Sequence, residues 1–331
     1  MNVRHALSRR RIVAGVAGLA AAAACPLLRA QTPTVARVVV GSGAGSAIDV
    51  LARRVAEKLQ PAYAASVIVE NKTGASGQLA VGFVKTAPAD GLTLLLVPTP
   101  YMAIFPHTYR KLPYKPDSDF VAVSLAATLN LGFAVGPMVP AEVKTLRDFT
   151  AWCLANPAKA HFGSPAAGST PHFAGVMLAR AGNFTLEHIP YRGPTPAVQD
   201  MVGGQIAAAC TAIGDLHSFA AAGRCRLLGT SGAKRSRFAP DVPTFVEQGF
   251  RDVVIEDWFG FFLHAGTPPE QVARASTAVR AALARPDIQQ AMEQSCLEVH
   301  GSTAEVFAAK VKADTERWAP IVKAIGFTAD S

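Results

Sequence analysis

The amino-acid sequence predicts an α/β protein of two doubly wound lobes, the second inserted into the first. Runs rich in valine and leucine alternate with amphipathic segments, as in parallel sheets that are covered by helices on both faces. Two stretches far apart in the chain share one layout: an apolar strand, a loop of glycine, serine and alanine, and a helix. A third stretch, Trp258 to Leu263, returns to a strand after the second series of elements.

The first series of elements builds one lobe. Apolar runs predict its strands and amphipathic spacing predicts its helices. The predicted strands are Val35–Val40, Ser66–Val69 and Leu92–Val97, and the predicted helices are Ile48–Leu59 and Gly77–Thr86. Two further runs, Phe120–Leu125 and Leu131–Val135, are predicted as strands on either side of the point where the chain crosses to the other lobe.

The second series has its own helix signals. Thr145 is predicted to cap a helix that ends at Asn156, helped by Asp148 three residues on. Thr170 is predicted to cap the next helix, with Pro171 at its first position. The other predicted elements are strands at Ala160–Gly163, Leu186–Ile189, Ile206–Thr211 and Leu227–Thr230 and a helix from Thr195 to Val202.

The chain then returns to the first lobe. Thr267 and Pro268 are predicted to cap a helix that reaches Leu283. The final helix, Thr303 to Ile325, places an apolar stripe on one face. The stripe consists of Phe307, Val311, Trp318, Val322 and Ile325. Lobe one is therefore predicted to comprise residues 31–128 and 257–331, and lobe two residues 129–256.

Residues 1–30 are predicted to be an export signal. Arg9, Arg10 and Arg11 precede an apolar run that ends at Ala24, and Ala30 offers a small residue at a cleavage point. The arginines fit either a Sec or a twin-arginine signal, so the mature protein is expected in the periplasm. The apolar run is shorter than the ~20 residues that a membrane-spanning helix needs. Lipidation of Cys25 stays open.

Export changes the charge of the protein. The predicted signal holds five basic residues and no acid. Its removal takes Lys and Arg from 32 to 27 against 24 Asp and Glu, so the net charge becomes +3 instead of +8. No run of basic residues interleaved with aromatics remains, and the sequence therefore predicts no binding to nucleic acid. A slightly basic protein suits a small acidic ligand.

The two glycine- and serine-rich loops are the predicted binding site. We call Gly41–Ser46 loop one and Gly163–Thr170 loop two. Glycine lets the backbone approach a ligand, and a helix start directs unpaired N–H groups and a partial positive charge towards it, so an anion is the expected guest. The predicted ligand-binding residues are Ser42, Gly43, Ala44, Gly45, Ser46, Asp49 and Thr99 in lobe one and Ser164, Gly168, Ser169, Thr170, Tyr191 and Thr211 in lobe two.

Several roles stay open at this stage. Asp49 either complements the helix dipole alone or contacts the ligand or braces its loop. His172 is expected to face either the ligand or the protein interior, and Arg192 either pairs with a carboxylate or is solvated. Loop one also resembles a dinucleotide fingerprint, with Glu70 where a ribose-binding acid would stand. An exported enzyme or cofactor-binding protein is therefore the alternative function.

The remaining reactive residues predict no catalysis. The cysteines outside the signal have no metal-like spacing, and the histidines are scattered singly, so no metal and no cofactor are expected. Ser231–Lys234 matches the SxxK motif of penicillin-recognising enzymes, but the Lys72–Gly74 match to their KTG motif precedes it, which reverses the required order. No G-x-S-x-G motif is present, so the sequence predicts a protein without enzymatic activity. In an oxidising compartment a Cys210–Cys225 disulfide is one possibility, and buried free thiols are the other.

Short strings along the chain resemble the periplasmic receptors of tripartite tricarboxylate transporters, often called Bug-type receptors. The similar strings are Asp49–Arg53, Val69–Gly77, Ala87–Leu95, Leu112–Tyr114, Asp119–Phe120, Ile189–Gly193, Gly203–Gln205, Lys234–Ser236, Pro240–Thr244, Trp258–Gly260 and Ala265–Pro269. Their order covers the chain from about Val38 onward. The resemblance implies a Venus flytrap of the type II periplasmic-binding-protein architecture. It also implies a carboxylate ligand held by backbone N–H groups, waters and hydroxyls, and delivery of that ligand to a membrane permease by a monomeric receptor.

The chain departs from this family pattern at three places. Gly41 and Ser42 stand where members usually carry a proline and an aromatic residue, and Ile48 stands where they often carry threonine. Thr211 ends its strand where members commonly have an aspartate. The missing acid is expected to remove a negative charge from the pocket, which favours plain di- or tricarboxylates over ligands with an amino group. An aromatic carboxylate, or a regulatory partner in place of the permease, stays open.

Overall fold

The computed structural model describes residues 34–329; the predicted export signal lies outside them. The strands are β1 Val35–Val40, β2 Ser66–Asn71, β3 Thr93–Pro98, β4 Phe120–Val135, β5 His161–Ser164, β6 Glu187–Pro190, β7 Ala208–Ala212, β8 Arg226–Thr230, β9 Glu256–His264 and β10 Glu298–Val299. The α-helices are α1 Ala47–Leu59, α2 Gln78–Lys85, α3 Phe105–Thr108, α4 Pro116–Asp119, α5 Leu146–Ala155, α6 Thr170–Ala181, α7 Pro194–Val202, α8 Ile213–Ala221, α9 Pro269–Leu283, α10 Pro286–Glu293 and α11 Ala304–Ile325. The predicted alternation of strands and helices is confirmed.

Strand pairing divides the sheet into two regions. In the first region β2, β1 and β3 are parallel, and β9 pairs antiparallel with β3 and with β4. In the second region β7, β5 and β6 are parallel, while β4 pairs antiparallel with β7 and β8. Each region is covered by helices, and the α/β fold class predicted from the sequence is confirmed.

Strand β4 crosses from one region to the other without a break, so the prediction of two separate strands is wrong. Asn130 still pairs with Glu256 of β9, and Leu131 already pairs with Ala212 of β7. Before this change of partner, the pairing of β4 with β9 contains two register shifts, at Ala122/Ser124 and Leu125/Ala127. A bulge adds local twist and lets one strand serve two differently oriented neighbours.

The final helix confirms its predicted apolar stripe. Phe307, Trp318 and Val322 of α11 are buried. Phe307 fills the space above Gly260 of β9, where an added Cβ would lie 2.0 Å from the Phe307 ring. Only glycine fits at this crossing of helix and strand. The carboxyl-terminal half of α11 also reaches α6, where Phe173 packs on Trp318 with ring centroids 5.6 Å apart.

Helix starts follow the predictions in part. The Thr145–Asp148 capping box of α5 is confirmed. Helix α6 is capped by Ser169 and not by Thr170, because Ser169 has an extended backbone and its hydroxyl accepts the His172 N–H. Helix α9 begins at Pro269 without a side-chain cap, so the predicted cap at Thr267 is wrong as well. Helices α8 and α10 were not predicted.

Two further observations bear on function. Within residues 34–329, no helix has the length and hydrophobicity needed to cross a lipid bilayer. The same residues contain no group of three or more acidic, histidine or cysteine side chains suited to a metal ion. Cys153, Cys210, Cys225 and Cys296 are buried free thiols, so the Cys210–Cys225 disulfide is not formed.

Candidate functional site

Loop one follows β1 and leads into α1, and Asp49 braces it from below. The Asp49 carboxylate accepts the Gly45 N–H at 2.9 Å, Arg53 Nε at 3.0 Å and Asn71 Nδ2 at 2.8 Å. Burial alone would raise the pKa of Asp49, but hydrogen bonds from Arg53, Gly45 and Asn71 outweigh burial and hold this pKa below its ordinary value. The side chain is only 2% exposed and is committed to protein partners. Of the roles left open for Asp49, the structure supports bracing of the loop.

The tip of loop one is open to solvent. Gly43, Ala44 and Gly45 are exposed, and a Cβ added at either glycine would meet no atom within 4 Å. Among the described residues, the N–H groups of Gly43 and Ala44 have no hydrogen-bond partner. Ser46 turns its hydroxyl back to the Gly43 carbonyl at 2.8 Å. The Ser42 carbonyl accepts Asn71 Nδ2 at 3.0 Å.

A neighbouring loop that was not assigned to the site supports loop one. Gly74, Ala75, Ser76 and Gly77 all have positive φ, which is unusual for the two residues with side chains. A Cβ on Gly41 of loop one would lie 3.0 Å from Gly77. Backbone held in such conformations often marks a functional segment. The paired glycines of the Gly74–Gly77 string are the sequence signal for this loop.

Loop two follows β5 and leads into α6, and it is tied down internally. The Ser169 hydroxyl donates to the Ala166 carbonyl at 2.7 Å, and the Gly168 N–H donates to His172 Nδ1 at 3.1 Å. His172 is therefore turned towards the loop backbone in the protein interior, which is the second of its two expected orientations. The N–H groups of Ala166 and Ala167 have no partner among residues 34–329.

Gly168 is buried, unlike the glycines of loop one. Its φ is +75°, and an added Cβ would lie 3.3 Å from Phe327 and 3.9 Å from Phe105. These aromatic residues come from the segment after α11 and from the start of α3. A side chain at Gly168 would therefore meet protein and not open space, and whether Gly168 contacts a ligand stays a prediction.

Two stacked histidines form the floor of loop two. The rings of His172 and His188 have centroids 3.8 Å apart. Burial lowers the pKa of His172 to about 4. Burial, and then the neighbouring His172, lower the pKa of His188 to about 3. Both rings are therefore neutral near pH 7.

Ser164 and His188 stand as close as a catalytic serine–histidine pair. The Ser164 hydroxyl is 2.7 Å from His188 Nε2 and 3.1 Å from the Ala166 carbonyl. Because Ser164 is fully buried, its oxygen is closed to an incoming carbonyl carbon. The hydrogen bonds of Ser164 to His188 and to the Ala166 carbonyl instead stabilise the conformation of loop two.

Tyr191 and Thr211 both donate to carboxylates. The Tyr191 hydroxyl lies 2.7 Å from Asp200 and the Thr211 hydroxyl 2.6 Å from Asp215. Burial raises the pKa of Asp215 above its ordinary value. Position 211 lacks an acid, as noted from the sequence, but Asp215 in the first turn of α8 places a carboxyl group beside Thr211.

Thr99 and Thr170, from the two predicted halves of the site, meet at an unpredicted residue, Asp257. The Trp258 N–H donates to Thr99 Oγ1 at 3.0 Å and to Asp257 Oδ1 at 2.9 Å. Both threonine hydroxyls lie beside the Asp257 carboxyl. In the sequence only the position of Asp257, directly before the Trp258–Gly260 string, could have drawn attention to it.

The features that favour a nucleotide site have other roles. Glu70 pairs with Arg37 at 2.9 Å and with Lys72 at 3.2 Å, so it is committed to protein cations. Arg192 is exposed, which agrees with the solvated alternative. Glu70 is therefore engaged with protein cations and is not free for the ribose contact that the dinucleotide-binding hypothesis requires.

Residues 51–327 match the profile of the family described as tripartite tricarboxylate transporter family receptor. The chain is 33% identical over 322 residues to a protein from the tcbD–tcbE intergenic region of Pseudomonas sp. strain P51, covering 96% of this chain and 94% of that protein.

Solved structures share the fold over nearly the whole chain. The R. palustris protein Rpa4515, solved with adipate, superposes with a TM-score of 0.83 at 27% identity, covering 91% of this chain and 100% of that one. The protein MatC from Rhodopseudomonas palustris, solved with bound malate, gives a TM-score of 0.78 at 26% identity, covering 87% of this chain and 98% of that one.

Proposed function

This chain belongs to the family of tripartite tricarboxylate transporter receptors, and we propose that it captures a small di- or tricarboxylate and delivers it to a membrane permease. The resemblance to Bug-type receptors is confirmed, and the family consists of periplasmic binding receptors. Adipate and malate, bound by two proteins of the same fold, are both dicarboxylates. They support this ligand class for the present chain.

The observation that carries the proposal is the set of unbonded N–H groups in the two loops. Gly43 and Ala44 precede the start of α1, and Ala166 and Ala167 precede the start of α6. A helix start adds a partial positive charge to such groups, and a carboxylate satisfies several donors at once. Two sets of donors suit a ligand with two carboxylates. Loss of one of these hydrogen bonds should cost about 1–3 kcal/mol where the ligand group that it served stays buried.

The lobes are proposed to close on the ligand by a hinge. Residues 31–128 with 257–331 form lobe one in this proposal, and residues 129–256 form lobe two. The change of partner between Asn130 and Leu131 supports a hinge on β4, and Glu256 at the start of β9 lies beside it. Receptors of this kind commonly close around their ligand.

Binding without catalysis, cofactor or metal completes the proposal. Ser164 is enclosed and Asp49 is committed to its loop, so neither is placed to act on a bound molecule. We further propose that the receptor is a periplasmic monomer exported by a Sec or twin-arginine signal. An aromatic carboxylate or a regulatory partner would be the variations of this function to test next.

Titration calorimetry with adipate, malate and citrate tests the proposal. We expect at least one to bind the mature protein, and at 100 times its Kd to raise the unfolding free energy by about 2.7 kcal/mol. Gly43→Val should abolish this binding, because its side chain enters the open space over loop one. Gly82→Val is the matched control, since Gly82 of α2 also has open space but lies outside the loops. Absence of binding by a panel of di- and tricarboxylates, or equal binding by both variants, would contradict the proposal.

A further inference from the structure

Asp257 occupies a position between the two predicted halves of the site. It lies on β9 opposite Leu129 of β4, one residue from the point where β4 changes partners. Its carboxyl group is beside the hydroxyls of Thr99, which follows β3, and Thr170, the first residue of α6. One side chain thus touches both segments that are proposed to enclose the ligand.

The carboxyl group is buried without a countercharge. Asp257 is 6% exposed and makes no ion pair with any described residue. On α11, Asp314 accepts the Trp258 indole N–H at 2.8 Å, while Lys310 is shared between Asp314 at 3.5 Å and Glu256 at 3.4 Å. On α6, Nδ1 of His172 accepts a hydrogen bond from the Gly168 N–H. The charged and titratable groups of the surrounding elements are therefore engaged elsewhere.

The hydrogen bonds to Asp257 are too few to hold a buried charge. Its firm bond is the one from the Trp258 N–H, and the Thr170 hydroxyl has no partner in good geometry. Burial raises the pKa of Asp257, the nearby hydroxyls of Thr99 and Thr170 and the Trp258 N–H lower it in part, and the charge of Asp314 raises it again; the net direction is upward. Protonation of a carboxylate in such a buried place costs little free energy, because burial already disfavours its charged form.

In the proposed complex, a carboxylate held by loop two would add a second negative charge near Asp257, which lies beside Thr170 at the end of that loop. Like charges in a region of low dielectric repel strongly, and protonation of the protein carboxyl removes the repulsion. We propose that Asp257 is a specificity-determining residue that takes up a proton when the receptor binds a carboxylate. This inference rests on the proposed function and adds that uptake of the anionic ligand is linked to uptake of one proton.

Calorimetric titrations of adipate between about pH 5 and about pH 8, in buffers of different ionisation enthalpy, test the inference. At pH values above the pKa of Asp257, the wild-type protein should take up about one proton per ligand. In the same range its affinity for the ligand should fall about tenfold per pH unit. Asp257→Asn should bind with a nearly constant affinity and take up no proton. Asp314→Asn is the matched control, because it removes a neighbouring acid but keeps Asp257, so the pH slope should remain.

Three outcomes overturn the inference. One is an equal pH slope in the wild type and in Asp257→Asn. Another is an absence of proton uptake by the wild type, which needs no variant to measure. The third is a ligand with an ammonium group that binds the wild type more tightly than Asp257→Asn, since that would require an ionised Asp257.

Failure of the proposed function is recognised separately. If no carboxylate binds, urea unfolding of the free proteins decides the inference. A group with a raised pKa in the fold loses its contribution as pH rises, so the wild type should lose stability relative to Asp257→Asn between about pH 5 and about pH 8. Parallel stability curves would show that Asp257 holds no proton in the fold.

Discussion

Loop one and loop two have the same layout in sequence but opposite surroundings in the fold. The tip of loop one is exposed, and its glycines have free space around them. Loop two is enclosed by His172 beneath and by Phe105 and Phe327 beside Gly168. Both loops therefore keep two unbonded N–H groups, but the tip of loop one is open, whereas Gly168 of loop two is packed against aromatic rings.

The means of support differ as well. Loop one is held by a charged network in which Asp49 joins Arg53, Asn71 and the Gly45 N–H. Loop two is held by neutral imidazoles and aromatic rings. A charged brace tolerates solvent, whereas a neutral, buried brace depends on dry and close packing. The two loops should therefore respond differently to bulk, to acid and to loss of a hydroxyl.

Added bulk should give the largest difference. Valine at either Gly45 or Gly168 must adopt a positive φ, which costs about 1–3 kcal/mol. At Gly168 the new side chain also collides with Phe327, which adds about 1–3 kcal/mol of overpacking. Gly168→Val should thus lose about 2–6 kcal/mol of unfolding free energy in urea denaturation and Gly45→Val distinctly less. Equal losses would show that Gly168 is not confined by its neighbours.

Acid should weaken loop two before loop one. The unfolded chain binds a proton at His172 below about pH 6.5, but the folded chain does so only near pH 4, so stability falls as pH falls through that window. The expected loss from this residue is about 2–4 kcal/mol. The contribution of Asp49 is present above the ordinary pKa of a carboxyl group and is lost as pH falls from there through its lowered folded-state pKa, so its loss begins at lower pH than that of His172.

The variant His172→Asn separates this effect from general acid unfolding. Asparagine keeps an acceptor for the Gly168 N–H but does not titrate in this range. Urea unfolding measured from about pH 7 to about pH 4 should therefore show a smaller loss of unfolding free energy in the variant. The difference in slope should correspond to about one bound proton. An unchanged decline would place the acid sensitivity elsewhere.

Loss of a serine hydroxyl should give the smallest difference. Ser169 caps α6 through the His172 N–H, so Ser169→Ala should cost about 1 kcal/mol. Ser46 stands at the same position before α1 but makes no cap bond to the helix, so Ser46→Ala should cost less than about 0.5 kcal/mol. Thermal unfolding of the two variants side by side measures the contrast. A larger loss for Ser46→Ala would reverse the assignment of caps.

The order of elements could be predicted from the sequence because each strand and helix carries its own periodic pattern. The capping box at Thr145 was equally local, since donor and acceptor lie three residues apart. The cap of α6 was misplaced by one residue because Ser169 and Thr170 are both good caps, and only the backbone conformation of Ser169 selects it. Continuity of β4 depended on a distant partner, β9, which no local pattern reveals.

The site was harder to predict than the fold because its contacts join distant parts of the chain. The position of loop one followed from its glycines, but the burial of Gly168 depends on Phe327, which is remote in sequence. Asp257 meets Thr99 and Thr170 only because β9 lies between β3 and β4 in the sheet. Whether the predicted residues contact a ligand remains a prediction for the binding experiments above.

Phe327 and the end of α11 have a consequence for biogenesis. Every strand of the sheet precedes α11 in the chain, so a growing polypeptide can pair its strands before this segment is synthesised. Until Phe327 arrives, the Phe173 ring lacks this edge contact and Gly168 lacks one of its two aromatic neighbours. The segment after α11 therefore completes the packing of loop two only after the sheet can form. A chain that stops before Phe327 should consequently pair its strands but leave loop two incompletely packed.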